Sequence, residues 1–286
     1  MSHVTQPEDG ATASSPLPSP LSAKRVRVQH IARAKAEGIP LTMLTAYDSL
    51  TAPILEAAGV DMLLIGDSLG NVMLGHSSTL PVTLEDMERA TASVARSTSR
   101  VMIVADLPFG TYEDSAEHAF ASAARLMKAG AHAVKLEGGT KRAHIIEALT
   151  AAGIPVCAHL GYTPQSENSL GGPRMQGRGD GADTLRRDAE AIEAAGAFAV
   201  VLEMVPATLA KEITSAARIP TIGIGAGPHT DGQVLVWSDM AGYSDWVPSF
   251  VHKFGQLGPA LKEAASDYVA AVRTRSFPGP DNYKND

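Results

Sequence analysis

Four times along this chain an Ala-Gly pair closes an alanine-rich segment and opens a short apolar run: EAAGVDMLLIG at 56–66, KAGAHAVKLE at 128–137, TAAGIPVCAHL at 150–160 and EAAGAFAVVLE at 193–203. A glycine there ends a helix in the left-handed conformation that side chains resist. The apolar run after it is too short for a helix and suits a strand buried on both faces. The intervening segments are amphipathic, as at 113–129, 141–151 and 183–195. Strands are expected at 41–46, 62–66, 101–105, 133–137, 156–160, 199–203 and 221–224, with a weaker eighth near 233–236. Strands alternating with helices pair in parallel, and eight units over roughly 250 residues fit a (β/α)8 TIM barrel better than a doubly wound open sheet.

Composition narrows the classes. The apolar fraction of 44% and charged fraction of 19% are those of a globular protein, and a net charge of −7 argues against a sequence-independent nucleic-acid binder. No apolar stretch approaches the ~18 residues of a membrane span, and the N-terminus lacks a signal-peptide order, so a cytoplasmic location is expected. The one cysteine, Cys157, lies in the apolar run IPVCAHL and reads as a small buried hydrophobe in a reducing compartment. Residues 1–23, rich in Ser, Pro, Thr and Ala, are expected to be a disordered leader, 24–275 a single barrel domain and 276–286 a tail.

Four of the apolar runs end on an acid: Asp67, Asp106, Glu137 and Glu203. A carboxylate at a strand's C-terminal end is poorly placed for packing and well placed for chemistry at the rim of a barrel. The pleat sharpens this. In AVKLE, Val134 and Leu136 should face the helices, which turns Lys135 and Glu137 inward, and in VCAHL it sets Cys157 and His159 on one face. A lysine inside a barrel must be paired or ligand-bound. Carboxylates without a Cys/His pattern suit Mg2+, which could chelate an α-keto acid and stabilise the enolate formed when a base removes the adjacent proton. Simpler roles remain open: Asp67-Ser68 as a helix cap, Asp106 as a turn residue, Lys135–Glu137 as a structural ion pair and His159 as a hydrogen-bonded core histidine.

The strings TAYDSLTAP (45–53), LIGDSLGNVMLGHSSTLPVT (64–83), ADLPF (105–109), VKLEGG (134–139), CAHLGYTPQS (157–166), QGRGD (176–180), LEMVP (202–206) and IGIGAGPHTDGQVLV (222–236) closely resemble the ketopantoate hydroxymethyltransferase family in order and spacing, along about 27–279. The resemblance implies a barrel of the phosphoenolpyruvate/pyruvate superfamily. It implies a transferase that moves a hydroxymethyl group from 5,10-methylenetetrahydrofolate to 3-methyl-2-oxobutanoate through a Mg2+-stabilised enolate, forming 2-dehydropantoate and tetrahydrofolate for pantothenate synthesis. Carried over by position, it implies Mg2+ at Asp67 and Asp106 with Glu137 in its coordination sphere. Asp67, Ser68, Asp106 and Lys135 would contact the keto acid with His159 nearby, and Glu203 would accept the proton. A homodecamer is the family's usual assembly, with small-molecule substrates and neither nucleic acid nor membrane as partner.

The stretch 161–181 is long for a βα connection and reads as a lid or interface loop, on which Arg174 and Arg178 could meet a folate tail but more simply face solvent. Gly223, Gly225 and Gly227 read as points of close backbone approach rather than a phosphate cradle. The amphipathic stretch 250–272 would cover a barrel end or join subunits. Two rival functions stand beside the transferase: a Mg2+-dependent lyase of another α-keto acid on the same barrel, and a non-catalytic barrel binding a metal or small acid. The lyases carry a cysteine in a catalytic loop, whereas here the cysteine is in a strand.

Overall fold

The computed structural model describes residue 21 and residues 23–284. The expected leader falls almost wholly outside the described residues. In chain order the elements are α1 (Val28–Glu37), β1 (Leu41–Thr45), α2 (Thr51–Ala57), β2 (Met62–Ile65), α3 (Leu69–Val72), α4 (Leu84–Ser97), β3 (Met102–Asp106), α5 (Ala116–Ala129), β4 (Ala133–Glu137) and α6 (Ala143–Ala151). They continue with β5 (Val156–Gly161), α7 (Glu167–Leu170), α8 (Gly181–Ala194), β6 (Ala199–Glu203), α9 (Ala207–Ala216), β7 (Thr221–Ile224), β8 (Gly232–Leu235), α10 (Trp237–Met240) and α11 (Leu257–Arg273). The eight strands close a barrel in sequence order, every pair parallel.

Local signals set the element ends. Thr83 starts α4 by accepting from the Asp86 N–H while Asp86 reaches back to Thr83 N, a reciprocal cap. Ser115 starts α5 by accepting from His118 N, which places the helix start later than the amphipathic pattern indicates. Gly130 ends α5 at φ +115°, where a side chain would be strained.

Two apolar layers follow from the strand pleat. Leu63, Ile65, Ile103, Val134, Leu136, Ala158 and Leu202 pack outward on the helices. Leu41, Met43, Met62, Leu64, Val104, Cys157, Val201 and Ile222 fill the barrel's interior, and α1 closes its N-terminal end with Ile31 and Ala34. Burial pushes the Cys157 thiol up to about 12, so it stays a protonated hydrophobe.

The outer layer is uneven. No helix separates β7 from β8, and α11 buries none of its residues, leaving Leu257, Leu261, Tyr268, Val269 and Val272 exposed. The chain between β7 and β8 turns tightly: Gly225 has φ +60°, and a Cβ on Gly227 would lie 2.5 Å from the Ala207 Cβ. Those glycines serve close packing. Among the described residues no helix is long and apolar enough to cross a membrane.

Candidate active site

Strand register decides which rim residues meet. Asp106 pairs with Lys135 across β3 and β4, Glu137 with His159 across β4 and β5, and Gly161 with Glu203 across β5 and β6. Neighbouring parallel strands turn paired residues to the same face, so Asp106, Lys135, Glu137, His159 and Glu203 form one arc on the inner rim. Asp67 joins them from the turn after β2, its N–H donating to Asp106 Oδ2 at 3.0 Å.

The arc is dry and densely charged. Asp67, Asp106, Lys135, Glu137 and His159 are each at most 5% exposed. Lys135 Nζ donates to Asp106 Oδ1 at 2.9 Å. Burial alone would lower the Lys135 pKa, but Asp106, Glu137 and Asp67 reverse this and hold the ammonium charged. The Asp67 carboxyl is pushed well above the ordinary carboxylate range, first by burial and then by repulsion from Asp106 and Glu137.

His159 lies between two carboxylates, Nδ1 3.3 Å from Glu137 Oε1 and Nε2 3.3 Å from Glu203 Oε2. Neither contact has hydrogen-bond geometry, so both buried ring nitrogens are left without a hydrogen bond and the attraction is electrostatic. Burial and Lys135 oppose a charge on the ring, while Glu137 and Glu203 outweigh them and raise its pKa to about 9.

The simpler roles are not those seen. Ser68 precedes α3 without a side-chain capping bond; its Oγ lies 2.9 Å from the Tyr47 hydroxyl. Lys135 pairs with Asp106 rather than Glu137. Glu203 is the most open of the acids, with its side chain 17% exposed. The backbone beside it is constrained: Met204 has φ +48°, and a Cβ on Gly161 would fall 2.1 Å from Glu203 O.

Three residues join the site without a role having been assigned to them from sequence. Gln165 donates from its side chain to Asp67 Oδ2 (2.8 Å) and Leu107 O (3.0 Å), and its backbone N–H donates to Glu137 Oε2 at 3.0 Å. The Tyr112 hydroxyl donates to Gln165 Oε1 at 2.6 Å, and Tyr47 holds Ser68. Tyr47 and Tyr112 lie in loops and Gln165 in the short 3₁₀ turn Pro164–Ser166, where no periodicity marks an inward residue; for Tyr47 and Gln165 the only signal was position inside strings already singled out.

Among the described residues, no group of three or more His, Cys, Asp or Glu converges tightly enough to hold a metal ion by itself. The donors nonetheless suit a hard cation that takes one or two carboxylates and fills its other positions with water and substrate. Asp67 Oδ1 makes no hydrogen bond among the described residues, while both Asp106 oxygens are engaged, by Lys135 and the Asp67 N–H, and both Glu137 oxygens, by His159 and Gln165. Beside Glu137 and His159 opens a cavity of ≈ 1100 Å³.

Solved structures share the architecture. A phosphonopyruvate hydrolase in complex with oxalate and Mg2+ aligns with a TM-score of 0.59 at 15% identity, over 90% of this chain and 93% of that one. A 2,3-dimethylmalate lyase of the PEP mutase/isocitrate lyase superfamily aligns with a TM-score of 0.58 at 16% identity, over 91% and 89%. At that identity the likeness is one of fold alone: a closed eight-stranded parallel barrel.

Sequence relatives are far closer. The 3-methyl-2-oxobutanoate hydroxymethyltransferase of Leifsonia xyli subsp. xyli is 52% identical over 270 residues, 94% of this chain and 98% of the relative. That of Corynebacterium efficiens is 52% identical over 263 residues, 91% and 98%. The family described as ketopantoate hydroxymethyltransferase matches residues 25–280. The chain belongs to that family, and it is a transferase rather than a lyase or an inert barrel.

Proposed function

We propose that the protein transfers a hydroxymethyl group from 5,10-methylenetetrahydrofolate, with water, to 3-methyl-2-oxobutanoate, giving 2-dehydropantoate and tetrahydrofolate. The observation that carries this reading is the rim on which buried Asp67, Asp106, Lys135, Glu137 and His159 meet the half-buried Glu203, in a chain of this family.

The roles are those the family resemblance implies, carried by position onto residues that strand register gathers on one rim. Asp67 and Asp106 would hold Mg2+, with Glu137 as an outer partner acting through water. When bound, the ion supplies positive charge beside the keto oxygen. Lys135 and the Ser68 hydroxyl would meet the substrate's carboxylate and keto oxygens, fixing which face of C3 is presented. Glu203 would take the C3 proton: one of its oxygens faces His159, and Oε1 makes no hydrogen bond among the described residues. The His159 ring, held cationic by its two carboxylate neighbours, would hold Glu203 in place. Water releases the one-carbon unit from the two folate nitrogens at the oxidation level of formaldehyde, leaving tetrahydrofolate. The electron pair on C3 attacks that carbon, and the alkoxide formed takes up a proton to become the product's hydroxyl. The solved phosphonopyruvate hydrolase, with oxalate and Mg2+, supports a metal and a small acid on such a rim.

A homo-oligomer, a decamer in keeping with the family resemblance, would cover the apolar residues of α11, which a lone chain leaves in water. A cytoplasmic setting suits the free buried Cys157. The test is mass-spectrometric detection of 2-dehydropantoate from the two substrates with Mg2+, together with deuterium exchange at C3 of 3-methyl-2-oxobutanoate alone. Metal-dependent exchange followed by product is expected; exchange at the same rate after EDTA treatment would sink the reading.

A further inference from the structure

The cavity beside Glu137 and His159 is larger than a small branched keto acid requires. Its ≈ 1100 Å³ slightly exceeds the range of roughly 300–1,000 Å³ found around drug-sized ligands. From Glu137 and His159 it runs outward past Gly138 and Gly139, between the connection after β4 and helix α8. The wall there has no room for a side chain, since a Cβ on Gly139 would lie 2.1 Å from the Asp188 Cγ.

The outer part is lined by Lys141 and Arg142 on one side and Arg187 on the other, with Leu170 and Leu185 nearby. None of the three cations is in an ion pair among the described residues. Arg142 Nη1 donates only to Glu113 O, and Arg187 only to Asp183 O and Thr184 Oγ1. Two acids share the lining. Asp188 is occupied by the Thr140 N–H and hydroxyl, and Glu190 is exposed.

We infer that this cavity receives the p-aminobenzoyl-glutamate arm of the reduced folate, its carboxylates meeting Lys141, Arg142 and Arg187. This rests on the transfer reaction proposed above. The one-carbon unit must reach C3 beside Glu203, so the pterin end lies inward and the anionic tail points out. An amphipathic arm ending in carboxylates matches apolar walls followed by three unpaired cations. Arg174 and Arg178 do not line the cavity, and the Arg178 guanidinium turns back to Met175 Sδ.

The experiment is steady-state kinetics of the full chain carrying K141E and R187E, both exposed positions, beside C3 deuterium exchange in the same variant. The KM for 5,10-methylenetetrahydrofolate should rise about tenfold or more, from the loss of charge-assisted hydrogen bonds. Exchange, which needs no folate, should keep the wild-type rate, and K141R should restore most of the affinity of K141E. An unchanged KM with intact exchange overturns the folate-arm assignment alone. Failure of the wild-type chain to make product overturns the transfer reaction and this assignment with it.

Discussion

The two ends of the barrel use the same residue types to opposite effect. At the N-terminal end Asp61, Asp231 and His132 each have hydrogen-bond partners. Asp61 accepts from the Thr42 N–H and hydroxyl, and Asp231 accepts from Lys35, Thr221 N and Thr221 Oγ1. Lys35 also donates to Thr214 O. His132 accepts from Ile103 N at Nδ1, with the Arg25 guanidinium against its other nitrogen. At the C-terminal end four carboxylates face Lys135 and His159, Asp67 is driven toward its protonated form, and both imidazole nitrogens lack a hydrogen bond. Saturated polar groups hold a fold together; a buried surplus of one sign is costly without a ligand to complete it. That difference supports the proposal that the rim is the working end.

The contrast can be broken at four places, in decreasing order of effect. Glu203→Gln should slow C3 exchange by roughly 10²–10⁴-fold, the usual cost of losing a positioned base. Calorimetry should show its Mg2+ affinity nearly unchanged; equal exchange rates would remove Glu203 as the base. Asp231→Ala should behave oppositely, lowering unfolding free energy by about 3 kcal/mol, because it strands Lys35 in a largely buried site. Urea denaturation reads that loss, and the turnover of the folded fraction should not change.

Gln165→Ala removes the amide that pins Asp67 and should weaken Mg2+ binding about tenfold or more, as outer-shell losses do. Its calorimetric signature should be reduced affinity at unchanged stoichiometry. The smallest effect is at His132. Burial first, then Arg25 and Arg27, push its pKa from the ordinary 6.5 down to about 4. The unfolded chain therefore takes up this proton before the folded one does. The resulting stability is complete above 6.5, declines as pH falls toward 4 and is flat below that. His132→Gln should flatten this part of the Tm-versus-pH curve, and an unaltered slope would show that the ring does not contribute.

Most of the scaffold was readable because helix, glycine cap and strand recur with a fixed period, and the pleat alone sent Lys135 and His159 inward. Register was not readable. Lys135 and Glu137, two apart on one strand, are separated by about 6.6 Å of rise, whereas the next strand is only about 4.8 Å away. Lys135 accordingly pairs with Asp106 across the sheet. Chain ends of strands also slipped: β3 runs one residue further than the apolar run, taking Asp106 into the ladder, and β8 starts at Gly232. Gln165 and Tyr112 were illegible because a single 3₁₀ turn and a loop carry no face until the connection has folded. The cations of the large cavity belong to two separate units, 141–142 and 187, which only the tertiary fold brings to one opening.

The central claim is that the surplus of carboxylates on the rim is completed by a divalent cation. Calorimetric titration of Mg2+ into the wild-type chain and into the Asp67→Ala plus Asp106→Ala variant tests it most directly. One saturable site per chain, lost in the double variant, is the expected result; undiminished Mg2+ binding by that variant would contradict the account.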